Sequence, residues 1–142
     1  MNPQGYWFKS SKFEIEPRED EDCNPGMYGR QLAIWLKGRL EQSGYVVEDI
    51  INEDWGRCLM CQRNPFMLWA GCGNVWDYDT AKPEDAPPFK EAVTWHCFAT
   101  AEVPFWTRIF GKINTEPAVS KLYSVLGEIL RAEPHITLVE EP

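Results

Sequence analysis

The stretch from Glu53 to Asn74, EDWGRCLMCQRNPFMLWAGCGN, limits the fold more than any other part of the chain. Two apolar runs, Trp55 to Arg63 and Phe66 to Gly71, flank Asn64-Pro65, a pair with turn chemistry. Leu59 and Cys61 alternate with Cys58 and Met60, and Phe66 and Leu68 alternate with Met67 and Trp69. Both faces of the predicted hairpin are therefore largely apolar, which places it centrally in a sheet.

The flanking segments complete the pattern. Phe13 and Ile15 alternate with Glu14 and Glu16, predicting a short edge strand that Pro17 ends, while Tyr6, Trp7 and Phe8 read as exposed aromatics. The acidic run at 18–22, REDED, reads as a solvated loop. Asn24-Pro25-Gly26 opens a helix predicted over 26–43, with Tyr28, Leu32, Trp35, Leu36 and Leu40 on one stripe and Gly44 as its left-handed stop. Tyr45, Val46 and Val47 are expected to begin the next strand. Val93 to Ala101 alternates as a strand, and residues 105–112 are expected to form a short helix or turn. Thr115-Glu116-Pro117 caps a second helix, whose buried stripe is Val119, Leu122, Leu126, Ile129 and Leu130. Ile136, Leu138 and Val139 can supply a last strand; the alternative is a tail.

The predicted class is α+β. A mostly antiparallel sheet of about five or six strands carries two amphipathic helices on one face. The other face is then half exposed, and surplus aromatics can sit there. Residues 1–142 are expected to form one domain, with residues 1–23 as an N-terminal segment and residues 73–91 as a long loop. In that loop Trp76, Tyr78 and Phe89 lie among Asp77, Asp79, Glu84 and Asp85.

Charge narrows the partners. The net charge is -8, from 22 acidic and 14 basic residues, with no basic cluster. Nucleic acids and anionic membranes are disfavoured, whereas a basic protein would be attracted; the alternative is that the acidity serves solubility alone. No stretch is long and apolar enough to span a bilayer, and no secretory signal is visible. The five cysteines are expected to be free thiols in the cytosol.

Three site chemistries compete. Cys58 and Cys61 have the spacing of a zinc half-site, which Cys72 and His96 can complete in principle. Residues three apart on a strand point to opposite faces, however, and buried cysteine commonly serves as a small hydrophobe. A nucleophile such as Cys72 needs a base, yet His96 adjoins Cys97 on the strand and no orienting group is evident. Glu53 and Asp54 before Trp55, with the acids and aromatics of the long loop, can gather into an acidic aromatic surface suited to protein contact or sugar stacking; the alternative is a solvated acidic loop. No catalytic residue and no cofactor is expected; Gly71-Cys72-Gly73 lacks the residues of a phosphate-binding loop.

Three motifs carry a family resemblance: NPGMYGRQLAIWL from Asn24, EDWG from Glu53 leading to LWAGCGNV, and WTRIFGK from Trp106. Together they resemble a family of small bacterial cytosolic proteins with no assigned activity. The likeness spans about residues 24 to 138. The family pattern has a second tryptophan after the EDWG glycine, where this chain has Arg57. The resemblance implies a cytosolic α+β domain and no catalytic residue.

The leading expectation is a non-enzymatic, immunity-like or accessory domain that binds another protein. Its expected surface is Glu53, Asp54, Trp55, Asn74, Trp76, Asp77 and Tyr78. The alternatives are a metal site or small hydrolase built on Cys58, Cys61, Cys72 and His96, and a carbohydrate-binding loop.

Overall fold

The computed structural model describes residues 4–75, 88–105 and 111–142. Its elements are β1 (Gln4–Ser10), α1 (Arg30–Gln42), β2 (Ile51–Glu53), β3 (Gly56–Gln62), β4 (Met67–Asn74), β5 (Trp95–Glu102), α2 (Glu116–Ala132) and β6 (Ile136–Val139). The strands form one six-stranded sheet in the order β2-β3-β4-β5-β1-β6. Every neighbouring pair is antiparallel. This is the expected α+β arrangement, and the predicted hairpin lies where its two apolar faces require.

Strand register sorts the sheet into two faces. Cys72 lies opposite Arg57 and Cys97, Ala70 opposite Leu59 and Ala99, and Phe8 opposite Trp95 and Leu138. Directly paired residues share a face, so this set forms one side of the sheet. Both helices bury their stripes there: Leu32, Leu36 and Leu40 from α1, and Val119, Leu122, Leu126 and Leu130 from α2. Tyr6 ties β1 to α2 by stacking on Tyr123, ring centroids 4.4 Å apart, and by donating its hydroxyl to the Tyr123 carbonyl at 2.9 Å.

The structure corrects five readings of the first half. The first strand is residues 4–10, not 13–16, and Tyr6 and Phe8 are core residues. Phe13 is buried too, but it anchors an irregular segment against Trp35 and Trp95. Residues 45–50 are not a strand; the pairing segment starts at Ile51, after Gly44 (φ 101) has turned the chain out of α1.

The acidic run is no solvated loop. Residues Glu19–Asp22 form a 3-10 turn, and Glu19 is fully buried. One Glu19 carboxylate oxygen accepts the Gly29 N–H at 2.6 Å and the Arg30 N–H at 3.1 Å; the other accepts the Glu16 N–H at 2.7 Å. Asp20 accepts the Gly26 N–H at 3.0 Å. These bonds explain why α1 starts at Arg30 and not at residue 26. Gly29 has φ 118, outside helical space, and the orphan N–H groups of the helix start are met by carboxylates from an earlier segment.

Candidate functional site

No helix covers the second face of the sheet among the described residues. Register places Trp7, His96, Phe98, Trp69, Met60 and Cys58 on it. Their rings form a continuous array. Trp7 stacks on His96 with centroids 4.5 Å apart and planes 6° apart. His96 meets Phe98 at 5.2 Å, and Phe98 meets both Trp55 at 5.5 Å and Trp69 at 5.6 Å. Trp55 closes the triangle, 5.6 Å from Trp69.

Glycines make room for this array. A side chain at Gly71 would collide with the Phe98 ring, and one at Gly5 would collide with His96 Nε2. The rings therefore lie down over bare backbone of the neighbouring strands, the arrangement by which aromatics protect sheet glycines. Local sequence explains Trp55 as well. It sits in the two-residue connection between β2 and β3, and Gly56 packs so closely on the Cys72 carbonyl that it admits no side chain. The turn thus delivers the Trp55 ring onto β4 and β5, where it stays 37% exposed.

Two carboxylates border the array, Glu53 from β2 and Glu102 from the end of β5. A groove of about 330 Å³ runs among Trp55, Trp69, Met60, Met67, Glu53 and Glu102. Glu53 and Glu102 are exposed, and neither has an ion-pair partner among the described residues. A second hollow of about 200 Å³ lies on the other side of Trp55, against Gly73, His96 and Phe98.

The expected surface residues fare differently. Glu53, Asp54 and Trp55 are exposed at the rim of the array. Asn74 is buried and spent internally: its amide oxygen accepts the Tyr28 N–H at 2.7 Å and its amide nitrogen donates to the Gly26 carbonyl at 2.9 Å. It fixes the segment before α1 to the end of β4. Trp76, Asp77 and Tyr78 lie outside the described residues, as do Asp79, Glu84, Asp85 and most of the 105–112 segment. Trp7, Trp69, Phe98 and Glu102 were missing from the expected surface. Their alternation marks a strand face, but only the strand order shows that these strands are neighbours.

The cysteines of the strands are divided between the two faces of the sheet. Cys58 faces the aromatic side, whereas Cys72 and Cys97 face the helices, opposite one another on β4 and β5. His96 is stacked on Trp7 across the sheet from Cys97. Among the described residues no group of three or more His, Cys, Asp or Glu side chains is placed to hold a metal ion. Burial pushes the Cys58 thiol up to about 11, and those of Cys61 and Cys72 to about 12. Such thiols are poor nucleophiles and poor ligands at neutral pH. Desolvation lowers the His96 pKa below its ordinary value, so the ring is held neutral among its aromatic neighbours.

A separate polar cluster lies between the acidic turn and the sheet. Arg57 is buried at its centre. Its Nη2 donates to the Glu19 carbonyl at 3.1 Å and lies 3.6 Å from the Asp22 carboxylate. Arg30 joins from α1, paired with Glu16 and Asp22. Hydrogen bonding to Arg30 holds the Asp22 carboxyl below its ordinary range. Arg57 Nη1 is buried with no hydrogen-bond partner among the described residues, while the other groups are spent on one another and join the turn, α1 and β3.

No helix among the described residues is long and apolar enough to cross a membrane. No protein-family model, curated protein or solved structure matches the chain.

Proposed function

We propose that this chain is a cytosolic binding domain that acts on another protein, in an immunity-like or accessory role, through the uncovered face of its sheet. The observation that carries the reading is the five-ring array of Trp7, His96, Phe98, Trp69 and Trp55. Tryptophan and other aromatics dominate the energetic centres of protein interfaces. They supply large contact area with few rotatable bonds, so little entropy is lost on docking. The net charge of -8 favours a basic partner and a faster encounter at low salt.

Sugar stacking on the same rings is the weaker reading. The planes of Trp55, Trp69 and Phe98 are inclined to one another by 31°, 49° and 68°, which makes a cup and not a flat platform. A metal or hydrolase role built on Cys58, Cys61, Cys72 and His96 gains no support from thiols buried on opposite sides of the sheet.

Affinity capture from the source organism tests the proposal. Wild type, Trp55→Ala, Trp7→Ala and the helix-face control Glu128→Ala are immobilised in parallel. A partner kept by wild type and the control but lost by both tryptophan variants is the expected result. A retained set that the tryptophan variants leave unchanged, or an empty one, refutes it.

A further inference from the structure

The groove beside Trp55 has chemistry of its own. Its walls are the Trp55 and Trp69 rings, and its lining includes Met60 and Met67. Glu53, from β2, and Glu102, from the end of β5, are the two carboxylates in that lining. The slot attracts a cation, because aromatic faces and carboxylates both do so and its two carboxylates have no ion-pair partner among the described residues. The nearby Arg63 does not fill that role, since Glu48 grips its guanidinium at 2.6 and 2.9 Å. Lys9 lies toward the opposite edge of the sheet, where it donates to the Ala92 carbonyl.

We infer that this groove is the seat of an arginine side chain presented by a basic protein partner, with its guanidinium against Trp55 and Trp69 and its charge answered by Glu53 and Glu102. Arginine fits better than lysine. Its planar, weakly hydrated head stacks on aromatic rings and forks onto a carboxylate, whereas an ammonium holds its water. The volume of about 330 Å³ is at the small end for ligand sites, roughly 300–1,000 Å³, and suits one long side chain. The Cys58 thiol in the same lining is pushed up by burial first, then by Glu53 and Glu102, with Arg63 acting the other way and Glu48 adding to the rise. The inference rests on reading the open face as a protein-binding surface.

The test is an NMR titration that follows the indole N–H signals of Trp55 and Trp69, assigned with Trp→Phe variants. The probes are the capped tripeptide Gly-Arg-Gly and its citrulline counterpart, which keeps the shape and loses the charge. The arginine peptide is expected to shift both signals saturably with millimolar affinity, and the citrulline peptide to bind about tenfold more weakly. The double variant Glu53→Gln, Glu102→Gln is expected to bring the two peptides to within about twofold of each other. Equal shifts from both peptides in the wild type overturn the inference. So does a shift produced by N-acetylglucosamine and not by the arginine peptide. If the tryptophan variants lose a captured partner while neither peptide moves the indoles, the arginine seat falls and the binding face stands.

Discussion

Replacing Glu19 by alanine tests the least expected feature of the fold. The carboxylate is fully buried and accepts three backbone N–H groups, from Glu16, Gly29 and Arg30. The Gly29 bond is itself buried and the other two are half-buried. An orphaned buried donor costs about 1–3 kcal/mol, and bonds to a charged acceptor lie in the upper part of that range. Partial access of water to the Glu16 and Arg30 amides discounts their shares. The sum is about 3–5 kcal/mol for Glu19→Ala, a large fraction of the roughly 5–15 kcal/mol that stabilises a typical domain. A fall of about 8–16 °C in Tm follows for a chain of this size. Glu19→Gln keeps one oxygen for Gly29 and Arg30 but presents an NH₂ group to the Glu16 N–H. It is expected to lose about half as much as alanine. The control is Glu21→Ala, from the same acidic run but on the surface, which should stay within about 0.5 kcal/mol of wild type. Urea unfolding followed by tryptophan fluorescence measures all three. A loss below about 1 kcal/mol for Glu19→Ala, or equal losses for Glu19 and Glu21, refutes the view that this carboxylate holds the helix start.

Other perturbations separate packing from propensity. Gly127→Ala in α2 places a methyl group against Tyr6 Oη and Arg131 Nη1 and should destabilise by about 1–3 kcal/mol, whereas Gly38→Ala in α1 meets nothing and should stabilise by about 0.5–1 kcal/mol; thermal melts of the pair should shift in opposite directions. His96 has its pKa lowered by burial from the ordinary 6.5, so its contribution is complete above that value and declines as pH falls toward the folded-state pKa. Urea midpoints between about pH 7 and pH 5 should therefore drop less in His96→Gln than in wild type, and an unchanged slope would contradict the burial argument. A thiol held at about 11, against an ordinary value of 9.0, has about a hundredfold less thiolate at neutral pH. Mass-spectrometric counting of alkylated cysteines should then find Cys58, Cys61 and Cys72 slow in the native protein and fast in urea.

The legible parts of the fold were those whose pattern closes on itself within a few residues. The β3–β4 hairpin, β5 and α2 follow from alternation or helical stripes, because each such stretch states which side is apolar. Residues 13–16 misled, since Phe13 and Ile15 alternate like a strand but are held against α1, where the Glu14 N–H bonds the Gln31 side chain and not another strand. The helix start misled for a related reason: Asn24-Pro25-Gly26 is sound capping chemistry, yet Glu19 and Asp20 bind the amides from further back. Nothing in REDED distinguishes Glu19 from its neighbours locally; its burial arises from meeting α1 and Arg57. On the candidate site, Trp55 and Glu53 could be singled out beside the EDWG turn. Trp7 and His96 could not be joined to them, because that requires knowing that β1 lies beside β5.

The place of β1 has a consequence for how the chain is made. Tyr6 pairs with Cys97 and Phe8 with Trp95, so the first strand waits for partners about ninety residues behind it. A ribosome adding about 5–20 residues per second leaves Tyr6, Trp7 and Phe8 without a sheet for roughly 5–20 s. The meander from β2 to β5 pairs only consecutive strands and can close during that interval, whereas the long-range pairing is slow. Among the described strands β6 pairs only with β1, so the last strand joins the sheet after the first one has. Shielding of an aromatic strand during synthesis, and not the strength of the finished sheet alone, then sets the yield of folded protein.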